Sequence, residues 1–167
     1  EDTMRVCRED GVDYIMVSGY RNMYHRFGCR YVGRDWAFDV VAKRAEDFDD
    51  ETLTITQASE ADVETIAGIY RREPVRWMRP PSDIVFGLDG WVQNRPAKTY
   101  LIKQGDHVLA FGVVQQARED DKGKVRLLDY AGERSAIVGA LGKFIQAQNL
   151  NQLSFPVKGV DTVLQGL

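Results

Sequence analysis

The spacing of apolar residues along the chain predicts short strands together with amphipathic helices. Leu53 and Ile55 alternate with threonines, a period of two that is typical of a half-buried strand rich in β-branched residues. Further along, apolar residues recur at helical spacing and form one stripe, made up of Ile137, Val138, Leu141, Phe144 and Ile145. The pattern therefore predicts a mixed fold of helices and strands.

A regular order of elements is predicted after residue 51. Ser59 and Asp62 resemble a capping box, which starts a helix, and three prolines between 73 and 81 mark a loop. Pro156 lacks an N–H, so the last strand is expected at a sheet edge or to end early. In chain order the predicted elements are strand 52–56, helix 59–70, helix 82–92, strands 99–103 and 108–114 joined as a hairpin, strand 125–130, a helix from 133, and strand 153–157.

The first fifty residues predict a separate short series of elements. Residues 14–17 are a short apolar run with the length of a buried strand. A helix over 21–27 is expected to end at Gly28, the residue that most easily adopts the left-handed conformation. Strands 30–32 and 36–41 follow, with Gly33-Arg34-Asp35 as the connection of a hairpin.

An acidic run at residues 46–51 separates these two regions. It holds one apolar residue, Phe48, and is interpreted as a solvated linker, with an acidic surface loop inside one domain as the alternative. The chain begins directly in a helical pattern at Glu1 and stops within an apolar pattern that starts at Val160. We therefore expect the sequence to be a piece of a longer protein.

Composition and charge exclude several classes of protein. The chain has 167 residues, 44% of them hydrophobic, which is enough to build a core and excludes a disordered or fibrous chain. Its net charge of −3 makes nucleic acid and anionic membranes unexpected partners. No apolar run approaches the roughly 20 residues of a membrane helix, so a cytoplasmic protein is expected. Cys7 and Cys29 are too few for a disulfide scaffold, and no metal-ligand spacing is present.

The order of elements after the linker resembles the opening and middle of the GNAT superfamily, the acetyl-CoA-dependent N-acetyltransferases. Residues 54–62, TITQASEAD, are similar to the family's first strand and helix start, and residues 105–112, GDHVLAFG, are similar to its middle hairpin. The resemblance implies an α+β fold in which a mixed, mostly antiparallel, twisted sheet is flanked by helices.

Residues 11–40 resemble the closing section of the same fold. Tyr24-x-x-x-Gly28 is similar to the family's late Y-x-x-x-G-F signature, with Cys29 where an aromatic residue is common. The resemblance implies a tandem-domain protein. Residues 1–45 would be the closing part of a first GNAT-like domain, residues 46–51 an acidic linker, and residues 52–167 the opening and middle part of a second GNAT-like domain. Alternatively, residues 12–42 complete the sheet of 52–167, within one chain or by exchange between chains of a homodimer.

The activity implied by the resemblance is transfer of an acetyl group from acetyl-CoA, a co-substrate, to the amine of a small molecule or peptide, with no metal. Tyr24 matches the tyrosine that protonates the departing thiolate, and a phenol, with an ordinary pKa of about 10, is a competent donor. The alternative is a core tyrosine with a hydrogen-bonded tip. A fragment that lacks the phosphate loop of Tyr24's own domain is expected to be inactive alone.

Cofactor binding by the second domain depends on its phosphate loop. The family places Q/R-x-x-G-x-G/A before a helix, whose N–H groups bind the pyrophosphate. The corresponding residues 130–136, YAGERSA, do not match, and Glu133 would repel phosphate. The candidate cofactor contacts are Ala131, Gly132, Arg134 and Ser135. The alternative is a degenerate, non-catalytic domain that acts as a scaffold or interaction module.

Overall fold

The computed structural model describes residues 2–13, 15, 17, 22–31, 35–159 and 161–166 of the chain. The chain divides into two compact units, residues 1–33 and residues 34–167. Each unit is described by itself.

The first unit contains two short helices, α1 (Asp2–Glu9) and α2 (Asn22–Arg26). The helix predicted over 21–27 is confirmed as α2, and Gly28 adopts a φ of +86° directly after it. The predicted strand at 14–17 and hairpin connection at 33–35 lie largely outside the described residues. Arg30 and Tyr31, which are described, have no strand conformation.

The described part of the second unit forms one mixed sheet of seven strands with the order β1-β7-β6-β5-β4-β2, and with β3 paired to β4. Neighbouring strands are antiparallel except for β6 and β7. The predicted mixed, mostly antiparallel sheet is confirmed. The strands are β1 (Asp35–Val41), β2 (Leu53–Gln57), β3 (Asp89–Val92), β4 (Arg95–Gln104), β5 (His107–Gln115), β6 (Lys124–Gly132) and β7 (Gln152–Lys158).

Helices cover both faces of this sheet and enclose two hydrophobic cores. Alternate residues of β5 point to opposite faces, so Ala110 and Val114 pack in one core and Phe111 and Val113 in the other. The first core is closed by α5 (Arg134–Gly139) and α6 (Leu141–Ala147), and the second by α3 (Val63–Arg71) and α4 (Pro81–Leu88). A last helix, α7 (Thr162–Gln165), adds Leu164 to the first core.

Strand β1 joins the sheet formed by the later residues of the second unit. It pairs along its whole length with β7, from Asp35 opposite Lys158 to Val41 opposite Gln152. Val40 lies opposite Leu153, and both are buried in the first core. A strand from the first fifty residues therefore completes the sheet within one chain.

The acidic run is folded, which differs from its interpretation as a solvated linker. A 3₁₀ helix spans Ala42–Phe48, and Ala45 is buried in the first core. Asp49 then binds the ammonium group of Lys143 and accepts a hydrogen bond of 3.0 Å from Gln146. Two polar side chains of α6 thus hold the run against the domain. The assignment of 1–45, 46–51 and 52–167 to a first domain, a linker and a second domain stays a prediction.

Three predicted elements differ in extent or position. The helix predicted over 82–92 ends at Leu88, because residues 89–92 form β3 against β4. The helix predicted from 133 is divided at Ala140 into α5 and α6. The last strand, β7, lies between β1 and β6 and is not an edge strand. Pro156 is tolerated there because β7 pairs with β6 only through Gln152–Ser154, so the missing N–H leaves that ladder intact.

Candidate functional site

A cleft opens where the two central parallel strands separate. Strands β6 and β7 pair only through Lys124–Arg126 and Gln152–Ser154. Beyond these pairs, β6 continues beside β5 and β7 continues beside β1. The cleft has a volume of about 620 Å³ and is lined by Tyr130 from β6, Lys158 from β7, and the segment that follows α3.

The guanidinium group of Arg134 lies in this cleft and binds two carboxylates. Its two terminal nitrogens donate to the two carboxylate oxygens of Glu73 over 2.8 and 2.6 Å. Its Nε donates to Asp161 over 2.7 Å. The side chains are 18, 12 and 7% exposed for Arg134, Glu73 and Asp161, so this is a largely buried, fork-to-fork arrangement. Three charged groups of the chain itself therefore occupy the inner part of the cleft.

The backbone N–H groups at the end of β6 also have hydrogen-bond partners within the protein. The N–H of Gly132 donates to Glu73 over 2.9 Å, and the N–H of Glu133 donates to the carbonyl of Leu109 over 3.1 Å. Gly132 has a φ of +108°, and a Cβ there would lie 2.4 Å from the carbonyl oxygen of Leu109. The glycine is therefore required by the close approach of β5.

The surroundings of Glu73, Arg134 and Tyr130 shift the pKa of each group away from its ordinary value. Burial opposes the ionisation of Glu73, but hydrogen bonds from Arg134 and from the Gly132 N–H outweigh it, and the pKa of Glu73 is lowered. The hydrogen bond to Glu73 raises the pKa of Arg134 further above its ordinary value. Burial, together with the charge of Asp161, raises the pKa of Tyr130 to about 12. At neutral pH the carboxylate and guanidinium stay charged and the Tyr130 phenol stays protonated.

The predicted site residues fall into two units. Tyr24 is half-buried on α2 of the first unit, and its role as a proton donor stays a prediction. In the second unit, Ala131 and Gly132 end β6, and Arg134 and Ser135 begin α5. The structure brings Gly132 and Arg134 together at the cleft through their shared partner Glu73. Ala131 is fully buried among side chains of the second core, whereas Ser135 is exposed.

The residues of the cleft do not fit the pyrophosphate of acetyl-CoA. A phosphate at this position would have to replace the carboxylate of Glu73 on both the Arg134 guanidinium and the Gly132 N–H. It would also lie beside Asp161, whose charge repels it. A phosphate ligand would therefore have to compete with a carboxylate that already makes charge-assisted hydrogen bonds to both groups.

Sequence reasoning missed the two acidic partners of Arg134. Glu73 lies 61 residues before Arg134, and no local pattern connects the two. Asp161 carries a weak local signal, because an aspartate before an apolar helical turn is a helix cap, and its Oδ1 accepts from the N–H of Leu164 over 3.2 Å. That signal predicts a cap, but it does not predict a salt bridge to α5.

Comparisons with known proteins show similarity in fold but none in sequence. No protein-family model matches the chain, and no curated protein matches it. A GCN5-related N-acetyltransferase from Anabaena variabilis matches 99% of this chain with a TM-score of 0.66 and 14% identity. One from Kribbella flavida matches 97% with a TM-score of 0.61 and 15% identity. The chain has the GNAT fold.

A third structure, Eis1 from Mycobacterium abscessus, matches 90% of the chain with a TM-score of 0.52 and 16% identity. The chain covers 44, 41 and 40% of the length of these three proteins. The fold predicted from the resemblance is confirmed, whereas identities this low say nothing of the activity.

Two further properties concern only the described residues. None of their helices has both the length and the apolar character that crossing a membrane requires. They also contain no group of three or more side chains arranged to hold a metal ion.

Proposed function

We propose that this chain belongs to a GNAT-type N-acetyltransferase in which residues 34–167 are an accessory domain that does not bind acetyl-CoA. The proposal rests on the ion pairs inside the cleft: Arg134 is bound by Glu73 and Asp161 within the fold that these acetyltransferases share. The domain then acts as a scaffold or interaction module. This combines the two functions that the sequence suggested, an acetyltransferase and a degenerate domain.

In this proposal the acetyl transfer depends on the first unit, through Tyr24. Loss of a thiolate from a thioester is assisted by a proton donor, and the phenol of Tyr24 would supply that proton. Acetyl-CoA would be the acyl donor and the amine of a small molecule or peptide the acceptor. The cytoplasm would be the place of the reaction, and a homodimer remains part of the proposal.

The experiment is a comparison of Tyr24→Phe with Tyr31→Phe in the full-length protein. We expect Tyr24→Phe to lower kcat for acetylation of an amine on the order of 100-fold, because general acid catalysis contributes at least that much. Tyr31 is the matched control, since it lies in the same unit, is 67% exposed and keeps its ring contact with His25 as phenylalanine. Tyr31→Phe should therefore have the same kcat as the wild type.

The proposal is contradicted if Tyr24→Phe and Tyr31→Phe acetylate at the same rate. In that case Tyr24 is a structural residue. Failure of the full-length wild-type protein to release CoA from acetyl-CoA with any of a panel of amines and peptides would favour the alternative, a protein that is non-catalytic throughout.

A further inference from the structure

A second cavity lies in the second unit between α3, α4 and the sheet. Its volume is about 320 Å³, close to the lower limit of about 300 Å³ for sites of small ligands. Aromatic side chains form much of its lining, contributed by α3, α4, β3 and β5: Tyr70, Phe86, Trp91 and Phe111. We call it the Asp129 cavity, after the charged residue that β6 contributes to it.

Asp129 is a carboxylate placed beside apolar residues of the sheet. It lies opposite Val113 in the β5–β6 ladder, and Val113 belongs to the second core. Asp129 is only 8% exposed. A carboxylate in such surroundings requires a positive partner, because an unpaired buried charge is strongly destabilising.

The positive partner is Arg79, and the cavity holds it in two ways. Its guanidinium group donates to Asp129 over 2.5 Å and lies 4.7 Å from the centre of the Tyr70 ring. A carboxylate and an aromatic face on one cation form the arrangement by which proteins recognise organic ammonium and guanidinium groups. Tyr70 is fixed in this orientation by the N–H of Trp77, which donates to its hydroxyl over 3.0 Å.

Arg79 lines the cavity from a loop rather than from a helix or strand. It belongs to the loop between α3 and α4, next to Met78, which is 95% exposed. Its side chain is 30% exposed, compared with 9% for its partner Asp129. Arg79 belongs to neither hydrophobic core, so its guanidinium group is the part of the lining that a ligand could displace without removing a core side chain.

We propose that the Asp129 cavity binds a small organic cation with an aromatic body, whose ammonium group takes the position of the Arg79 guanidinium on Asp129 and Tyr70. The aromatic walls fit the body of such a ligand, and the carboxylate selects its charge. Arg79 occupies the cation position in the absence of the ligand, so the ligand must displace the Arg79 guanidinium in order to bind. This binding function is independent of acyl transfer and uses no residue of the cleft between β6 and β7.

The test measures binding of benzylamine, a small aromatic cation at neutral pH, by calorimetry and by the fluorescence of the tryptophans, of which Trp91 lines the cavity. We expect Arg79→Gln to bind benzylamine at least tenfold more tightly than the wild-type chain, because the competing guanidinium is gone. Adding Asp129→Asn to Arg79→Gln should remove the binding. Arg76→Gln is the matched control, since Arg76 lies in the same loop and donates only to the backbone carbonyl of Glu73; it should bind as the wild type does.

Two results would overturn the proposal. One is equal binding of benzylamine to Arg79→Gln and to the wild type. The other is equal binding of benzylamine and the uncharged benzyl alcohol to Arg79→Gln, which would show that Asp129 selects no charge. If Arg79→Gln does not fold, the Tm of the wild type is measured at increasing concentrations of benzylamine. A saturable rise in Tm that Asp129→Asn abolishes supports the site, and an unchanged Tm rejects it. Since only binding is measured, failure here leaves the proposed acetyl transfer unaffected.

Discussion

Glu73 joins the end of α3, the end of β6 and the start of α5 at a single carboxylate. It accepts hydrogen bonds from the Gly132 N–H and from two nitrogens of Arg134, and its side chain is 12% exposed. Because each of these bonds stabilises the ionised form, Glu73 contributes stability only while it is charged. This makes the cleft network measurable through the stability of the protein.

We expect Glu73→Gln to lower the free energy of unfolding at pH 7 by about 3 kcal/mol, the lower end of the range for breaking a buried ion pair. Glu64→Gln is the matched control, since its pair with Arg71 is 3.6 Å long and 79% exposed at the glutamate, and it should change the stability very little. Urea unfolding measures both.

The pH dependence of the stability of the wild type and of Glu73→Gln tests whether Glu73 acts through its charge. The pKa of Glu73 is lowered in the folded state, so its stabilisation is complete above the ordinary value of 4.5 and is lost as the pH falls through the lower folded value. The difference in stability between wild type and Glu73→Gln should therefore shrink below about pH 4.5. A difference that stays constant down to pH 3 would show that Glu73 acts through packing rather than charge.

At the scale of the elements, the 3₁₀ helix Ala42–Phe48 packs against α6 through a glycine. A Cβ on Gly142 would lie 2.3 Å from the carbonyl oxygen of Ala45 and 2.9 Å from the Cβ of Asp49. These are backbone and first side-chain atoms, which cannot move away without displacing the segment. Gly142 is thus the contact that allows the acidic run to lie on the domain.

We expect Gly142→Ala to lower the free energy of unfolding by about 2 kcal/mol, as overpacking of a filled core does. Gly68→Ala is the control in a helix with open space, since a Cβ there meets no atom within 4 Å, and it should raise the stability by about 0.5–1 kcal/mol. Thermal unfolding measures both. Equal stability of Gly142→Ala and wild type would contradict the docking of the acidic run on α6.

Elements with local signals were predictable from the sequence. The β4–β5 hairpin was recognised by its turn, and the capping box by the carboxylate of Asp62, which accepts from the N–H and hydroxyl of Ser59. The sequence suggested, as one alternative, that residues 12–42 complete the later sheet. It did not identify β7 as the partner of β1, because the paired residues lie more than a hundred residues apart. The acidic composition of residues 46–51 is typical of a solvated loop. The contacts of Asp49 with Lys143 and Gln146 leave no local pattern in the sequence, because both partners lie more than ninety residues away.

For the molecule as a whole, the GNAT fold favours binding of acetyl-CoA, whereas the ion pairs inside the cleft oppose it. The fold is shared with N-acetyltransferases, while Arg134, Glu73 and Asp161 already satisfy one another where a phosphate would have to bind. Of the predicted cofactor contacts, Gly132 at the end of β6 and Arg134 at the start of α5 line the cleft. Their function there could not be predicted, because both of the acids that bind Arg134 are distant in sequence.

Calorimetric titration of acetyl-CoA into this chain tests the proposal that residues 34–167 do not bind acetyl-CoA. We predict no saturable heat of binding up to millimolar acetyl-CoA, because the ligand would have to separate the buried pairs of Arg134. One-to-one binding with a micromolar Kd that Arg134→Ala abolishes would contradict the account and place the cofactor in the cleft between β6 and β7.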